Sequence, residues 1–433
     1  MPMTPLQIES LDQEGRGIGR RDGKVIFVEG ALPGELAEVS VYRKKPAFEV
    51  SFATRIFHES ASRTTPGCKF FGICGGCSLQ HMDIRAQVAA KQRVLEDNFL
   101  HIARIRPEQM LPAIHGPTWG YRHRARLTVR HVFKKGGALV GFHEKRSSYV
   151  ADMTSCEVLP RRISDLLPRM RELIDSLSLR ARVPQVELAV AENAVALVFR
   201  VLDPLTPNDE ELMRAFADRY RVSVWLQPAG PETAQPLHPP GDDTLYYTLP
   251  EFDVRVGFRP TDFTQVNHAV NQVLVRRALK LLDPQPGERI ADLFCGLGNF
   301  TLPIARSGAQ VTGIEGSAPL IKRAQKNAEL NGLARNTHFM TMDLFKIDAA
   351  AWAELGPFDK LLIDPPRDGA LELVKLIGQN GPRRIVYVAC SPATLARDAG
   401  VLVGVHGYRL RAAGIINMFP HTAHVESMAL FER

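Results

Sequence analysis

The chain has 433 residues, 45% of them hydrophobic, and a formal net charge of +7 at pH 7 with a pI near 9.1. That length suits two or three domains with their own cores and excludes extensive disorder. No run approaches the roughly 18 apolar residues of a membrane span, and MPMTPLQIESLDQEGRG lacks the apolar centre of a secretion signal. No membrane contact and a cytoplasmic location are therefore expected, where grouped cysteines more often bind metal or catalyse than form disulfides.

In chain order, the first sixty residues alternate with period two through IESL, KVIFVEG, ELAEVSVY and FEVSFATRIF, between turns rich in Gly and Pro. Four or five short strands in that span predict a small barrel, whose EGRGIGRRDG turn would present Arg16, Arg20 and Arg21 to phosphates. Next, PGCKFFGICGGCSLQH at 66–81 carries three of the six cysteines as CxxxxxCxxC. IRAQVAAKQRVLEDNFL then has helical spacing. Residues 101–150 hold ten Lys or Arg against two acids, a surplus suited to a polyanion such as nucleic acid. Within them Arg122, Arg124 and Arg126 share one strand face, an arrangement that favours phosphate between them. PRRISDLLPRMRELIDSL predicts a helix, VELAVAENAVALVFRV a hairpin, and PAGPETAQPLHPPGDD an exposed loop. From 270 onward strands and helices alternate in the βαβα rhythm of a parallel sheet covered by helices on both faces.

In that last part, ADLFCGLGNFTLPIA passes from strand to helix through Gly296 and Gly298, and Glu315 closes the following strand about twenty residues on. Glycines admit a ligand close to the backbone, and the carboxylate suits ribose hydroxyls. A third glycine is missing, so the turn is not the dinucleotide fingerprint. It resembles the first motif of class I S-adenosylmethionine methyltransferases, in which Asp343 of FMTMDLF would touch the adenine end of the cofactor. Three further strand ends carry LLIDPPRDG, IVYVACSPATLARD and MFPHTAHVESMALF, so Asp364, Cys390 and Glu426 are expected to converge on one crevice. A strand-end cysteine with a lowered pKa can act as nucleophile, and Glu426 as buried base.

DPPRDG, then fifteen residues, then IVYVACSPAT and finally FPHTAHVE resemble the signatures of the 5-methyluridine RNA methyltransferases. The resemblance spans the chain and implies residues 1–60 as a TRAM-like OB barrel, 61–255 as a central α+β iron–sulfur and RNA-binding domain, and 256–433 as a Rossmann-like S-adenosylmethionine-dependent catalytic domain. It implies Cys390 as nucleophile on C6 of uracil, Glu426 as the base that removes the C5 proton, and Gln265, Phe294, Gly296, Asn299, Glu315, Asp343 and Asp364 around the cofactor. Arg367 is a candidate for steadying the enolate oxygen. The family usually has Ser-Cys-Asn at the nucleophile, whereas this chain has Ala389-Cys390-Ser391.

The clustered cysteines resemble those of the iron–sulfur branch acting on 23S ribosomal RNA. Cys68, Cys74 and Cys77 supply three thiols, and with Cys295 in the cofactor turn and Cys390 committed to catalysis, Cys156 is the fourth. Four thiolates suit zinc or a cluster, and three close cysteines with one distant partner favour a [4Fe–4S] centre with a structural role. The expected partner is 23S RNA, with Phe70, Phe71 and Tyr121 as stacking platforms and no protein partner, hence a monomer. Competing readings are 5-methyluridine formation in transfer RNA, a 5-methylcytidine enzyme, and N6-adenine methylation, the last because Asp364-Pro365-Pro366 resembles a DPPY loop. Outside methyl transfer stand a radical enzyme, whose CxxxCxxC this spacing does not match, and a non-catalytic RNA-binding iron–sulfur protein.

Overall fold

The computed structural model describes residues 5–241, 244–378 and 381–433. The period-two segments at the start form the strands Gly17–Arg21, Lys24–Glu29, Leu36–Lys44 and Phe48–His58. Leu6–Gln7 pairs with one edge of this sheet and Ser10–Leu11 with the other. Both pieces belong to one extended segment, so the sheet closes around Leu6, Ile8, Ile26, Val28 and Val39. Closure depends on Gly19, where a Cβ would lie 2.5 Å from the Gln7 carbonyl oxygen. Arg20 and Arg21 lie in a strand instead of the predicted loop. Arg16 is bonded to Asp12 and stacked over Phe27, so that turn is less free to meet phosphate than expected.

A second sheet has the order Gln235–His238, Ser223–Gln227, Val195–Arg200, Gln185–Val190, Arg124–Val132 and Gly137–Gly141. The helices Leu167–Ser176 and Pro207–Tyr220 bury their apolar sides in its core. The proline-rich loop is thus partly a sheet edge, where Pro236 needs no inward N–H; its Asp242 and Asp243 lie outside the described residues. The predicted three-arginine face also changes. Arg122 precedes the strand, while Arg124 and Arg126 both reach Glu187 on the neighbouring strand, at 3.7 and 2.8 Å. The anion between these guanidinium groups is a carboxylate of the chain itself.

The third sheet runs Thr337–Thr341, Gln310–Glu315, Arg289–Leu293, Lys360–Ile363, Arg384–Ala389, Glu426–Glu432, Arg409–Ile416 and Gln109–Met110. Its first five strands are parallel and Glu426–Glu432 is antiparallel to its neighbours. Its strands read as continuous apolar runs because both faces are covered. One of the covering helices comes from far earlier in the chain. Asp83 caps Ile84–Asn98 by accepting from the Arg85 N–H, and Gln87, Lys91, Leu95 and Asn98 are its buried positions. Leu95 and Phe99 enter the same core as Tyr387 and Ala389, so this helix packs on the sheet that carries the last three motifs.

Candidate active site

Around Arg289–Leu293 the strand order reverses direction, with Gln310–Glu315 on one side and Lys360–Ile363 on the other, and ligands of such sheets bind at that point. Each strand delivers a residue there. Arg289–Leu293 leads into the Phe294–Gly298 turn, Gln310–Glu315 ends on Glu315, Lys360–Ile363 precedes Asp364, and Arg384–Ala389 precedes Cys390. Glu426 begins the antiparallel strand at the same edge. A cavity of about 530 Å³ results, lined by Cys390, Glu426, Gln265, Phe294, Gly296, Asn299, Glu315, Asp343, Asp364 and Arg367. All nine catalytic and cofactor candidates from the sequence therefore face one space.

The cofactor half is shaped by backbone. Phe294, Gly296 and Gly298 all have positive φ, +66°, +53° and +92°, which folds the turn tightly and turns its amides toward Glu315. Gly296 and Ser317 donate N–H bonds to the two Glu315 oxygens at 3.3 and 3.0 Å, fixing the carboxylate at the cavity wall. The Phe294 and Phe345 rings lie 5.5 Å apart, with Asp343 beside them. An acid placed for vicinal hydroxyls next to aromatic walls fits an adenosyl group, and the volume suits one ligand of that size. The Asn299 amide is held by Tyr247 and Asn271, both 2.9 Å from its Oδ1.

The reacting half is dominated by buried charge. Burial pushes the Cys390 thiol up to about 11, and the Glu426 and Asp364 carboxyls act in the same direction against Arg367. In the protein alone the thiol thus lies above its ordinary value, chiefly through burial and then through the two acids, and not below it as expected of an activated nucleophile. Burial raises Glu426 to about 8, with Asp364 adding and Lys91 opposing. Burial also raises Asp364 to about 7. Near neutral pH these acids are partly protonated. A counterweight lies in the helix Pro392–Gly404, whose N-terminus favours negative charge close to Cys390.

The residues around Cys390 also account for the altered signature. Ser391 is the N-cap of that helix and accepts from the Thr394 N–H, a task Ser performs as well as Asn. Ala389 is buried, and its carbonyl accepts a bond from the Ser427 hydroxyl at 3.4 Å. Arg367 donates to His424, which burial and the guanidinium keep neutral with a pKa lowered to about 4. Asp398, fully buried, accepts from Tyr387 Oη at 2.7 Å and from the Ala370 N–H at 2.8 Å, tying the DPPRDG loop to the Cys390 helix. Sequence reasoning missed Asp398, Ser427 and Phe263, which lines the cavity while 69% exposed. Only the position of Phe263 beside Gln265 could have flagged it.

Cys68, Cys74, Cys77 and Cys156 lie together around a separate cavity of about 130 Å³, walled by Phe70, Phe71, Phe142 and Met153. Burial pushes Cys77 up to about 11 and Cys156 up to about 12. Among the described residues no three or more His, Cys, Asp or Glu side chains form a group that could hold a metal ion. What the cavity provides is four thiols around one wall. Tyr121, expected as a stacking platform, is 2% exposed and donates to the Pro420 carbonyl, so it cannot meet a base. No helix among the described residues is long and apolar enough to cross a membrane.

Comparison with known proteins agrees with this geometry. Residues 4–48 match the TRAM domain, within the closed barrel. A protein of Nitrosospira multiformis named 23S rRNA (uracil(1939)-C(5))-methyltransferase RlmD is 61% identical over 432 residues, 99% of this chain and 98% of its own length. One of the same name from Aromatoleum aromaticum is 60% identical, covering 98% of this chain and 99% of its own. Among solved structures, the Pyrococcus abyssi tRNA (uracil-54, C5)-methyltransferase in complex with S-adenosyl-L-homocysteine covers 99% of both chains at TM-score 0.76 and 24% identity, which establishes the shared fold. Residues 83–433 match the tRNA (Uracil-5-)-methyltransferase family, and the chain is a methyltransferase that belongs to it.

Proposed function

We propose that this protein methylates C5 of a specific uridine in 23S ribosomal RNA, in the cytoplasm, with Cys390 as covalent nucleophile and Glu426 as the base. The observation that carries the chemistry is one thiol and one buried carboxyl opening onto the same cavity as the cofactor residues. The choice of 23S RNA rests on relatives of that name at about 60% identity along the whole chain.

C5 of uracil is too weak a nucleophile to take a methyl group unaided. Once its proton has passed to solvent, the Cys390 thiolate adds to C6 and gives the ring enolate character, with negative charge shared between C5 and the C4 oxygen. Bound S-adenosylmethionine supplies an electrophilic methyl group on positively charged sulfur. With a methyl and a proton both on C5, Glu426 takes the proton, the C5–C6 double bond reforms, and the Cys390 sulfur leaves as thiolate. Burial, with Asp364 adding to it, keeps Glu426 protonated to higher pH than an isolated carboxylate, so the base must first release its proton. Arg367 stands at the rim, with His424 fixing its guanidinium.

The target base has to leave its stack, and Phe263 offers an exposed ring at the mouth of the cavity. Flanking phosphates would meet Lys145 and Arg146 in the cleft of about 490 Å³ between the barrel and the cysteine segment, where Arg16 is already held by Asp12 and Glu14. For the four cysteines we propose a [4Fe–4S] cluster, since three thiols from one short loop and Cys156 from a distant one line a single cavity, and such a cluster is held by four cysteine thiolates. Its role is structural: it joins Cys156 to 66–81. The test is incubation with S-adenosylmethionine and unmodified 23S RNA, followed by nucleoside analysis. 5-Methyluridine at one position is expected; 5-methylcytidine, N6-methyladenosine or no methylation would reject the proposal.

A further inference from the structure

We propose that Lys91 is the positioning residue for Glu426: its ammonium fastens the turn that leads into Glu426 and so brings a buried cation to that turn. This rests on Glu426 being the base.

Lys91 is 2% exposed on the helix Ile84–Asn98, more than three hundred residues from the motif it serves. Its Nζ donates to Asn417 Oδ1 at 2.7 Å and to the Phe419 carbonyl at 2.9 Å. Both acceptors are neutral, one a side-chain amide oxygen and the other a main-chain carbonyl. A buried ammonium so placed is costly unless some carboxylate offsets its charge. The ionisable groups that feel it are His421 and His424 of the turn and Glu426 of the following strand. Both histidines are held neutral, with pKa lowered to about 4 by burial, so among the described residues Glu426 is the group that carries the opposing charge. Burial lowers Lys91 to about 7, and Glu426 is the influence against that fall.

Gln87, one helical turn earlier on the same face, holds the other end of the turn. Its Oε1 accepts from the His421 N–H at 2.8 Å, while Nε2 donates to the Leu79 and Met82 carbonyls. The approach of Glu426 to the C5 proton is thus set from outside the catalytic motifs. When Glu426 takes that proton, the C–H electrons form the C5–C6 double bond and the C6–S electrons return to Cys390. Lys91 takes no part in the proton transfer itself; in its charged form it favours the charged form of Glu426 that accepts the proton.

The test separates methyl transfer from product release in the full-length protein with S-adenosylmethionine and unmodified RNA. Lys91→Gln removes the charge while keeping a donor for Asn417 or Phe419; Lys91→Arg keeps the charge; Glu426→Gln reports on the base. Lys91→Gln is expected to slow turnover by about tenfold or more, to transfer the first methyl at close to the normal rate, and to accumulate a covalent methylated complex on a denaturing gel. Lys91→Arg is expected to restore release. If first transfer and release slow together with no complex accumulating, Lys91 is a structural fastening only and the proposal fails, with Glu426→Gln still trapping. If Glu426→Gln itself releases product normally, the assignment of the base fails and Lys91 with it.

Discussion

Two regions of the molecule concentrate cysteine chemistry, and they are built in opposite ways. The cavity at 68–77 and 156 gathers four thiols behind Phe70, Phe71, Phe142 and Met153, with burial raising Cys77 and Cys156. The crevice at the sheet edge holds Cys390, half-buried, among two titrating carboxyls, an arginine and a helix N-terminus. Thiol number marks a place that can hold something; surroundings that can move protons mark a place that can react. Cys295 supports the point from a third side: it is 4% exposed, with burial and nearby acids raising its pKa well above normal. It faces the cofactor cavity but is poorly placed to become a thiolate.

The largest effect should come from Cys390→Ala, expected to lower methylation by about 10⁴-fold or more in a labelled-methyl assay, with folding unchanged by circular dichroism. Glu426→Gln should lower turnover by about 10²- to 10⁴-fold and, unlike Cys390→Ala, leave protein covalently attached to unmodified RNA. Cys156→Ser should abolish visible absorption and iron content while retaining more activity than either; colourless wild-type protein with stoichiometric zinc would instead replace the cluster with a zinc site.

A pH series sharpens the same contrast. Glu426, raised to about 8, and Cys390, raised to about 11, are both inactive when protonated, so turnover should climb from pH 6 to 9, less steeply in the wild type than in Lys91→Arg because Lys91, lowered to about 7, loses its charge across the same range. The raised Glu426 acts oppositely on stability. Burial favours its neutral form, so its contribution is present at low pH and is lost as pH rises through about 8. A profile flat across that range would remove both groups from the rate-limiting steps. Tyr247→Phe should be the mildest change, deleting one bond to Asn299, worth about 1 kcal/mol, and raising KM for S-adenosylmethionine several-fold.

Local pattern made much of this legible. The period-two runs of the barrel, the alternation after 270 and the strand-end motifs depend on neighbours in sequence, and the candidates Gln265 to Glu426 share one cavity. What escaped depends on distant pairing. Glu187 neutralises Arg124 and Arg126 from a strand some sixty residues away, as the separation of 61 between Arg126 and Glu187 shows. Tyr121 is buried because its hydroxyl reaches Pro420. Lys91 sits in a helix that reads from sequence only as amphipathic, and its charge matters because residues 417–419 fold against it. The pKa of Cys390 could not be read either, since it depends on burial and on two acids, Glu426 and Asp364, delivered by separate strands.

The central claim is that one cysteine among six does the chemistry, and RNA carrying 5-fluorouridine at the target position tests it most directly. Fluorine at C5 cannot leave as a proton, so the wild-type protein with S-adenosylmethionine should stop as a covalent complex. Peptide mapping of that complex should find the methylated nucleotide on Cys390. No complex, or attachment at Cys68, Cys74, Cys77, Cys156 or Cys295, would contradict the account.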